Sequence, residues 1–356
     1  MKRCLVISDS FKGTLSSPAI CCIARSLAVP GWQVDALPVA DGGEGTVDCF
    51  LDACGGQRVT AVVSDPFGAE AESFYGLLPD GTAVVECAAA AGLPLAEGRL
   101  DPERTTTYGV GQLMAAALDN GVKRLILGLG GSCTNDGGCA AAAALGVRFF
   151  DRQGRSFVPT GITLAEIADI DLSRRHPALD DVPLTVMCDI DNPLYGALGA
   201  AYVFAPQKGA DAACVQRLDE GLRHFAAVLR QRLGIPVDKL PGGGAAGGFG
   251  AGCAALLGGT LRSGIETVLD TVDFDRRAAG YDLIVTGEGR LDSQSLGGKA
   301  VSGVAGRCRA LGVPAAALGL CSARSINPAG VSFQDAKAHA AAYYRDALVK
   351  LLEEMS

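Results

Sequence analysis

The chain has 356 residues, 49% of them hydrophobic and 20% charged, with a formal net charge of −8. This composition excludes a disordered or collagen-like chain, and the acidic balance argues against a nucleic-acid partner. The length suits about two domains; no apolar run approaches the ~20 residues of a membrane span, and the stretch after Lys2 and Arg3 is too short for a signal peptide.

Cys4 to Ile7 reads as a first, buried strand. It ends in Asp9-Ser10-Phe11-Lys12-Gly13-Thr14. A helix is expected from about Ser17 to Ala28, with Ser16 or Ser17 as N-cap and Pro18 in its first turn. Gln33 to Val39 is a second strand. It leads through Asp41-Gly42-Gly43-Glu44-Gly45-Thr46 to a helix over Val47–Ala53, stopped by Gly55-Gly56. Both strand ends carry carboxylates where open α/β sheets bind ligands, although ordinary loops are polar too. Arg58–Val63, Glu70–Leu77 and Ala83–Cys87 are short runs separated by Asp65-Pro66-Phe67-Gly68 and Pro79-Asp80-Gly81. Turn signals at that spacing predict an antiparallel meander, the start of a second module.

Thr105-Thr106-Thr107 precede a helix through Leu118, and their hydroxyls are expected to be plain N-caps. Leu125-Ile126-Leu127 then reads as a buried strand. It breaks into Gly128, Gly130 and Gly131, followed by Ser132, Thr134, Asn135, Asp136, Gly137 and Gly138, and an Ala-rich helix from Cys139 to Leu145. Such a junction lets the backbone approach a ligand closely and points N–H groups at negative charge; a capped turn with no ligand is the plainer reading. Val147–Phe150 and Leu184–Cys188 are further strands. The second delivers Asp189 and Asp191, a pair suited to magnesium or to a general base beside a metal ligand. Asp, Asn and Pro at this point are also ordinary turn chemistry.

Ala201–Phe204 is expected as a strand ending in Pro206-Gln207-Lys208-Gly209, with a helix from about Ala212 to Arg232. The glycine-rich stretch from Asp238 to Gly259 is interrupted by Phe249, Leu256 and Leu257, so it reads as a loop and a close-packing helix rather than a linker. Leu283–Thr286 is a buried strand ending in Gly287-Glu288-Gly289-Arg290-Leu291-Asp292-Ser293-Gln294 and onward to Lys299. A helix from Ala300 to about Leu311 and a strand over Val313–Leu318 follow. Neither a P-loop nor a G-x-G-x-x-G opens a helix after a strand. The tail from about Ser332 to Glu354 reads as one amphipathic helix.

Thirteen cysteines include no Cys-x-x-Cys, and the three histidines have no zinc spacing to them. The thiols read as small buried hydrophobes in a reducing compartment, hence a cytoplasmic protein. Glycine supplies 48 residues, about twice the average share of ~7%. Clustered glycine loops at strand ends account for that excess. Together the strand ends predict an α/β enzyme acting on a phosphorylated or carboxylated small molecule.

Eight segments in order sharpen this: DSFKG at Asp9–Gly13, ADGGEGT at Ala40–Thr46, TTTYG at Thr105–Gly109, GGSCTNDGG at Gly130–Gly138, CDIDNPL at Cys188–Leu194, PQKG at Pro206–Gly209, GAAGGFGAG at Gly244–Gly252 and TGEGRLDSQSLGGK at Thr286–Lys299. From Met1 to about Leu318 the chain resembles the type I glycerate kinases. The resemblance implies ATP-dependent phosphorylation of D-glycerate with Mg2+, usually giving 2-phosphoglycerate. It also implies two α/β domains with the active site in the cleft between them. One, over 1–57 and 240–356, would be flavodoxin- or Rossmann-like with a parallel sheet. The other, over 58–239, would carry a mixed sheet with the antiparallel meander.

Roles follow from residue type and strand-end position. Asp189 is the candidate base, with Asp191 or Asp292 on magnesium. Lys12 and Asp9 join Asp189 as catalytic candidates; Lys12, Lys208 and Lys299 are candidates to neutralise phosphate or the glycerate carboxylate, and Arg290 could grip the carboxylate bidentately. Gly131, Ser132, Thr134, Asn135 and Asp136 would cradle an anion. Ser10, Asp41, Glu44, Glu288 and Gln294 complete the expected ligand contacts. After Leu318 the chain runs through Gly319–Arg324 almost directly to Ser325-Ile326-Asn327-Pro328, where family members usually continue through a further helix–strand step. That shortening is expected to leave a sheet edge that a homodimer could cover. The competing readings are a kinase of another small hydroxy acid and a ligand-binding member impaired by the shortened region.

Overall fold

The computed structural model describes residues 1–11, 14–288, 299–319, 325–328 and 330–356, without the side chains of Lys299 and Phe333. The strands are β1 (Lys2–Ser8), β2 (Trp32–Pro38), β3 (Gln57–Ser64), β4 (Glu70–Leu77), β5 (Thr82–Glu86), β6 (Arg124–Gly128), β7 (Arg148–Phe150), β8 (Ser156–Phe157), β9 (Asp169–Asp171), β10 (Leu184–Met187), β11 (Thr260–Arg262), β12 (Leu283–Glu288) and β13 (Ala315–Gly319). The helices are α1 (Ser17–Arg25), α2 (Thr46–Cys54), α3 (Ala88–Ala91), α4 (Tyr108–Asp119), α5 (Cys139–Ala144), α6 (Ala200–Phe204), α7 (Ala212–Val228), α8 (Ala245–Leu256), α9 (Gly264–Thr271), α10 (Phe274–Ala278), α11 (Lys299–Leu311), α12 (Phe333–Ala338) and α13 (Ala340–Glu354). None of the described helices is long and apolar enough to cross a membrane.

Two compact units result: Met1–Ala40 with Asp48–Cys54 and Ile265–Ser356, and Asp41–Val47 with Gly55–Gly264. The first holds a parallel sheet in the order β13-β12-β1-β2, with Cys4 opposite both Leu283 and Val34. Cys4 to Ser8 are all buried, as an apolar run in a sheet covered on both faces requires. Ser16 caps α1 by accepting from the Ala19 amide, and Pro18 fits the first turn. The helix stops at Arg25, short of the expected end, where the Ser26 hydroxyl donates to the Ile23 carbonyl at 2.7 Å. The tail is two helices rather than one, broken at His339. Tyr344, Leu348, Leu351 and Leu352 of α13 are buried, and the Tyr344 ring meets Phe11 edge-on with centroids 5.7 Å apart.

One glycine in this unit is a stability handle. Gly306 lies exposed inside α11, and a Cβ there would have nothing within 4 Å. Gly306→Ala is expected to stabilise the protein by roughly 0.5–1 kcal/mol, because alanine loses less backbone entropy in a helix. A thermal melt checks it; a lower melting temperature would refute it.

The second unit holds a mixed six-stranded sheet, β11-β10-β6-β5-β4-β3, and a small antiparallel sheet, β8-β7-β9. β11, β10, β6 and β5 run parallel, while β4 and β3 form the expected meander. Asp65 Oδ1 closes the first hairpin by accepting from Phe67 N and Ala69 N. The core includes Leu125 and Leu127 of β6, Val85 of β5, Leu113 of α4 and Phe225 of α7.

Two sequence expectations change here. Ala201–Phe204 is not a strand but most of helix α6. A four-residue apolar run cannot be told from a helical segment by periodicity, and alanine favours the helix. The 240–264 stretch, expected in the first unit, belongs to the second from residue 240 to Gly264. Its small residues let α8 lie against neighbouring backbone: a Cβ on Gly252 would fall 2.1 Å from the Gly137 carbonyl oxygen. β11 then adds to the sheet edge beside β10.

Candidate active site

A cavity of about 220 Å3 opens at the carboxyl ends of β6 and β10 in the second unit. Asp41, Gly130, Gly131, Ser132, Asp189 and Lys208 line it, together with apolar Leu93, Met187 and Phe204. Open α/β sheets place their sites at this end of the strands.

The 41–47 loop is tied to β6 and β5. Gly130 N donates to the Gly42 carbonyl at 2.8 Å, and a Cβ on Gly130 would lie 2.5 Å from Gly43 Cα, so the contact is backbone on backbone. Within the loop, Asp41 Oδ1 accepts from Gly43 N at 3.0 Å. Glu86, at the end of β5 and 2% exposed, accepts from Val47 N at 2.6 Å and Gly45 N at 3.2 Å. This carboxylate holds the first turn of α2. The sequence carries a signal for it, a lone acid closing the run Thr82–Val85, although strand periodicity alone gives Glu86 no role beyond the strand.

The 131–138 loop is locked from beneath. Asp136 is fully buried; its Oδ2 accepts from Thr107 N and Thr107 Oγ1, both at 2.8 Å, and its Oδ1 accepts from Gly138 N at 3.0 Å. Burial pushes its carboxyl upward, and these bonds oppose the rise. Thr107 Oγ1 also accepts from Ala141 N at 3.0 Å. Contrary to the sequence expectation, the threonine hydroxyl does not cap its own helix; it bridges α5 to Asp136. Thr105 Oγ1 donates to the Cys133 carbonyl at 2.9 Å. Thr134 and Asn135 are fully buried, and Thr134 Oγ1 and both Asn135 side-chain polar atoms have no partner among the described residues. Buried polar groups without partners are uncommon.

Lys208 ends a 3-10 turn, Pro206–Lys208, closed by Gly209 at φ 96°. Its Nζ donates to Ser132 Oγ at 2.9 Å and to the Thr134 carbonyl at 2.6 Å, and the residue is 2% exposed. Burial pushes its amine down to about 8; Cys87, Cys133 and Asp136 pull the other way.

Asp189 follows β10. Its Oδ1 accepts from Ser263 Oγ and from Gly264 N, both at 3.1 Å. A Cβ on Gly264 would sit 2.7 Å from Asp189 Oδ2 and 3.3 Å from Asp41 Cα, so only glycine leaves the carboxylate in place. Ser263 and Gly264 were not legible as site residues, since nothing local marks a serine just after a three-residue strand as a partner of Asp189.

Other expected residues fall elsewhere. Asp191 is exposed and does not line the cavity, because β10 ends at Met187 and strand alternation does not carry past it. Glu44 is exposed and also absent from the lining. Asp9 and Ser10 follow β1 in the first unit, where Asp9 Oδ1 accepts from Ser10 N at 2.6 Å. Glu288 closes β12 in the same unit. Lys12, Arg290, Asp292 and Gln294 lie outside the described residues, as does the side chain of Lys299 at the start of α11.

The donor set fits magnesium. Asp41 and Asp189 supply carboxylate oxygens to one cavity, the hard ligands that ion prefers. Among the described residues no three His, Cys, Asp or Glu group into a metal cage. A magnesium ion carried by one or two carboxylates and substrate phosphates needs none.

Comparison with known proteins identifies the family. The model of the glycerate kinase family matches residues 4–343. The glycerate kinase of Bacillus subtilis strain 168 is 42% identical over 360 residues, covering 96% of this chain and 94% of that one. The glycerate 2-kinase of Escherichia coli K12 is 42% identical over 309 residues, covering 85% and 81%. A solved protein of Salmonella typhimurium LT2, described there as a glycerate kinase 2, aligns with a TM-score of 0.87 at 38% identity over 99% of this chain and 98% of that one. A family match over nearly the whole chain, on an α/β fold with this cavity, places the protein: the chain belongs to the glycerate kinase family.

Proposed function

We propose that the protein transfers the γ-phosphoryl group of ATP to the 2-hydroxyl of D-glycerate, giving 2-phosphoglycerate and ADP. One observation carries this reading. A single small cavity brings together a carboxylate seated by two donors, Asp189, and a buried lysine, Lys208. A hydroxy acid presents the complementary pair, a proton to give up and a negative charge. The names of the similar proteins support the substrate, and the E. coli relative supports the 2-position.

Phosphoryl transfer asks mainly for positioning and charge neutralisation. Asp189 accepts the hydroxyl proton; the freed oxygen forms the new O–P bond while the bridging P–O bond to ADP breaks. Ser263 and Gly264 fix the carboxylate for that task by occupying its Oδ1. The Gly130–Ser132 backbone and Lys208 hold the anionic part of the ligand. Magnesium, when bound, neutralises phosphate charge, and Asp41 is the described carboxylate best placed to hold it, with Asp292 as a further candidate.

Two coupled assays test this. With D-glycerate, Mg2+ and ATP, enolase alone consumes 2-phosphoglycerate, whereas 3-phosphoglycerate also needs phosphoglycerate mutase. Signal with enolase alone is expected. Signal only after adding mutase would overturn the 2-position, and silence in both would overturn the substrate.

A further inference from the structure

The Lys208 ammonium carries three N–H donors, and its two acceptors here, a serine hydroxyl and a peptide carbonyl, are neutral. Among the described residues it has no carboxylate within ion-pair distance, although the residue is 2% exposed. Buried charges are normally paired. The groups around it do not supply the missing partner. Cys87, after β5, is a buried thiol that burial pushes strongly upward, so it stays neutral. Cys133, pushed up to about 11, is likewise neutral. Asp136 spends both oxygens on Thr107 and Gly138. On α8 the cavity wall is Ala245 and Ala246, and Gln207 is the neighbour on its own turn. Cys188 and Asp189 line the same cavity, but Asp189 is bonded to Ser263 and Gly264.

Resting on the glycerate kinase reading, we propose that Lys208 is the seat of the substrate carboxylate rather than of a nucleotide phosphate, and that binding this carboxylate loads the amine with a proton. Size and chemistry favour the carboxylate. The cavity, about 220 Å3, lies below the ~300–1,000 Å3 typical of sites for larger ligands. Leu93, Leu129 and Phe204 suit a short carbon chain better than a polyphosphate. In a 2-hydroxy acid the hydroxyl stands one carbon from the carboxylate. A cavity holding both the lysine and the proton acceptor therefore orients the reacting oxygen toward Asp189.

The proton linkage has a definite sign. Below pH 8 the free amine already carries its proton, so binding takes up little. Above about 8 it is mostly neutral, and the arriving carboxylate must draw a proton from solution. Glycerate affinity is then lost as pH rises, approaching tenfold per unit.

Calorimetric titration of D-glycerate into the full chain tests this, with and without MgADP, at pH 7 and 8.5, in buffers of unlike ionisation heat. The expected uptake is about 0.1 proton at pH 7 and more than about half a proton at pH 8.5. Lys208→Met is expected to abolish the uptake and weaken glycerate at pH 7 by at least ~30-fold. Should that variant fail to fold, Lys208→Arg is expected to bind glycerate with no uptake at either pH, since guanidinium stays charged. Uptake that survives in both variants overturns the proposal, as does the absence of glycerate-linked uptake in both nucleotide conditions. Lys208-dependent uptake with ADP or inorganic phosphate in place of glycerate would overturn it in favour of a phosphate seat. If the wild type phosphorylates another hydroxy acid and not glycerate, the substrate reading fails. Lys208-dependent uptake with that acid would still uphold the carboxylate seat.

Discussion

Asp189→Asn is expected to lower kcat by about 10^2- to 10^4-fold, the range that a positioned general base contributes. The substitution removes the negative charge and the proton acceptor that the proposed mechanism assigns to this position. An asparagine carbonyl can still accept from Ser263 Oγ and Gly264 N, each 3.1 Å from Asp189 Oδ1. The melting temperature should therefore move little while turnover collapses. KM for glycerate should change less than kcat, because the lost interaction develops in the transition state. Steady-state kinetics beside a thermal melt decide the matter. Near-wild-type turnover would remove Asp189 from its role and with it the proposed orientation of the substrate.

Gly247→Ala is the second large effect, and it acts through the fold. Gly247 has φ +68°, and a Cβ there would fall 2.1 Å from the Thr134 carbonyl oxygen and 2.5 Å from Asn135 Cα. Both are backbone atoms of the locked loop, so no side chain can swing aside. The displaced carbonyl is the one that accepts from Lys208 Nζ at 2.6 Å. A loss of roughly 3 kcal/mol or more is expected, combining the left-handed penalty of about 1–2 kcal/mol with the steric shift. Gly98→Ala is the control: φ is +76° there, but nothing lies within 4 Å of the added carbon. It should cost only the conformational term, on the order of 1 kcal/mol. Equal melting temperatures for the two variants would show that the backbone contact is not what demands glycine at 247.

The reach of the sequence is visible in particular residues. Ser132, Lys208 and Asp189 were legible because small, cationic or acidic residues stood next to apolar runs or glycine turns, where ligand sites form. The β3–β4–β5 meander was legible from Asp65–Gly68 and Pro79–Gly81, whose turn chemistry is local. Lys208 lines the cavity from a different scaffold than expected, since α6 is a helix where a strand was expected. Sequence alone assigns Thr107 to a helix cap, because that is what a threonine before a helix usually is. Its actual partner, Asp136, is distant in sequence. Glu86, Ser263 and Gly264 serve loops from other parts of the chain, and no local pattern announces such pairings. The buried atoms of Thr134 and Asn135 that have no partner among the described residues emerge only when the loop is folded.

The most direct test of the central claim is phosphorus NMR of the product formed from D-glycerate and ATP, with Mg2+ and again with the metal chelated. A phosphoryl group on the 2-oxygen couples to one carbon-bound proton and gives a doublet; on the 3-oxygen it couples to two and gives a triplet. The structure and the proposed chemistry predict a new doublet that forms with magnesium and is lost with chelator. A triplet, or no new phosphorus signal while magnesium is present, would contradict them.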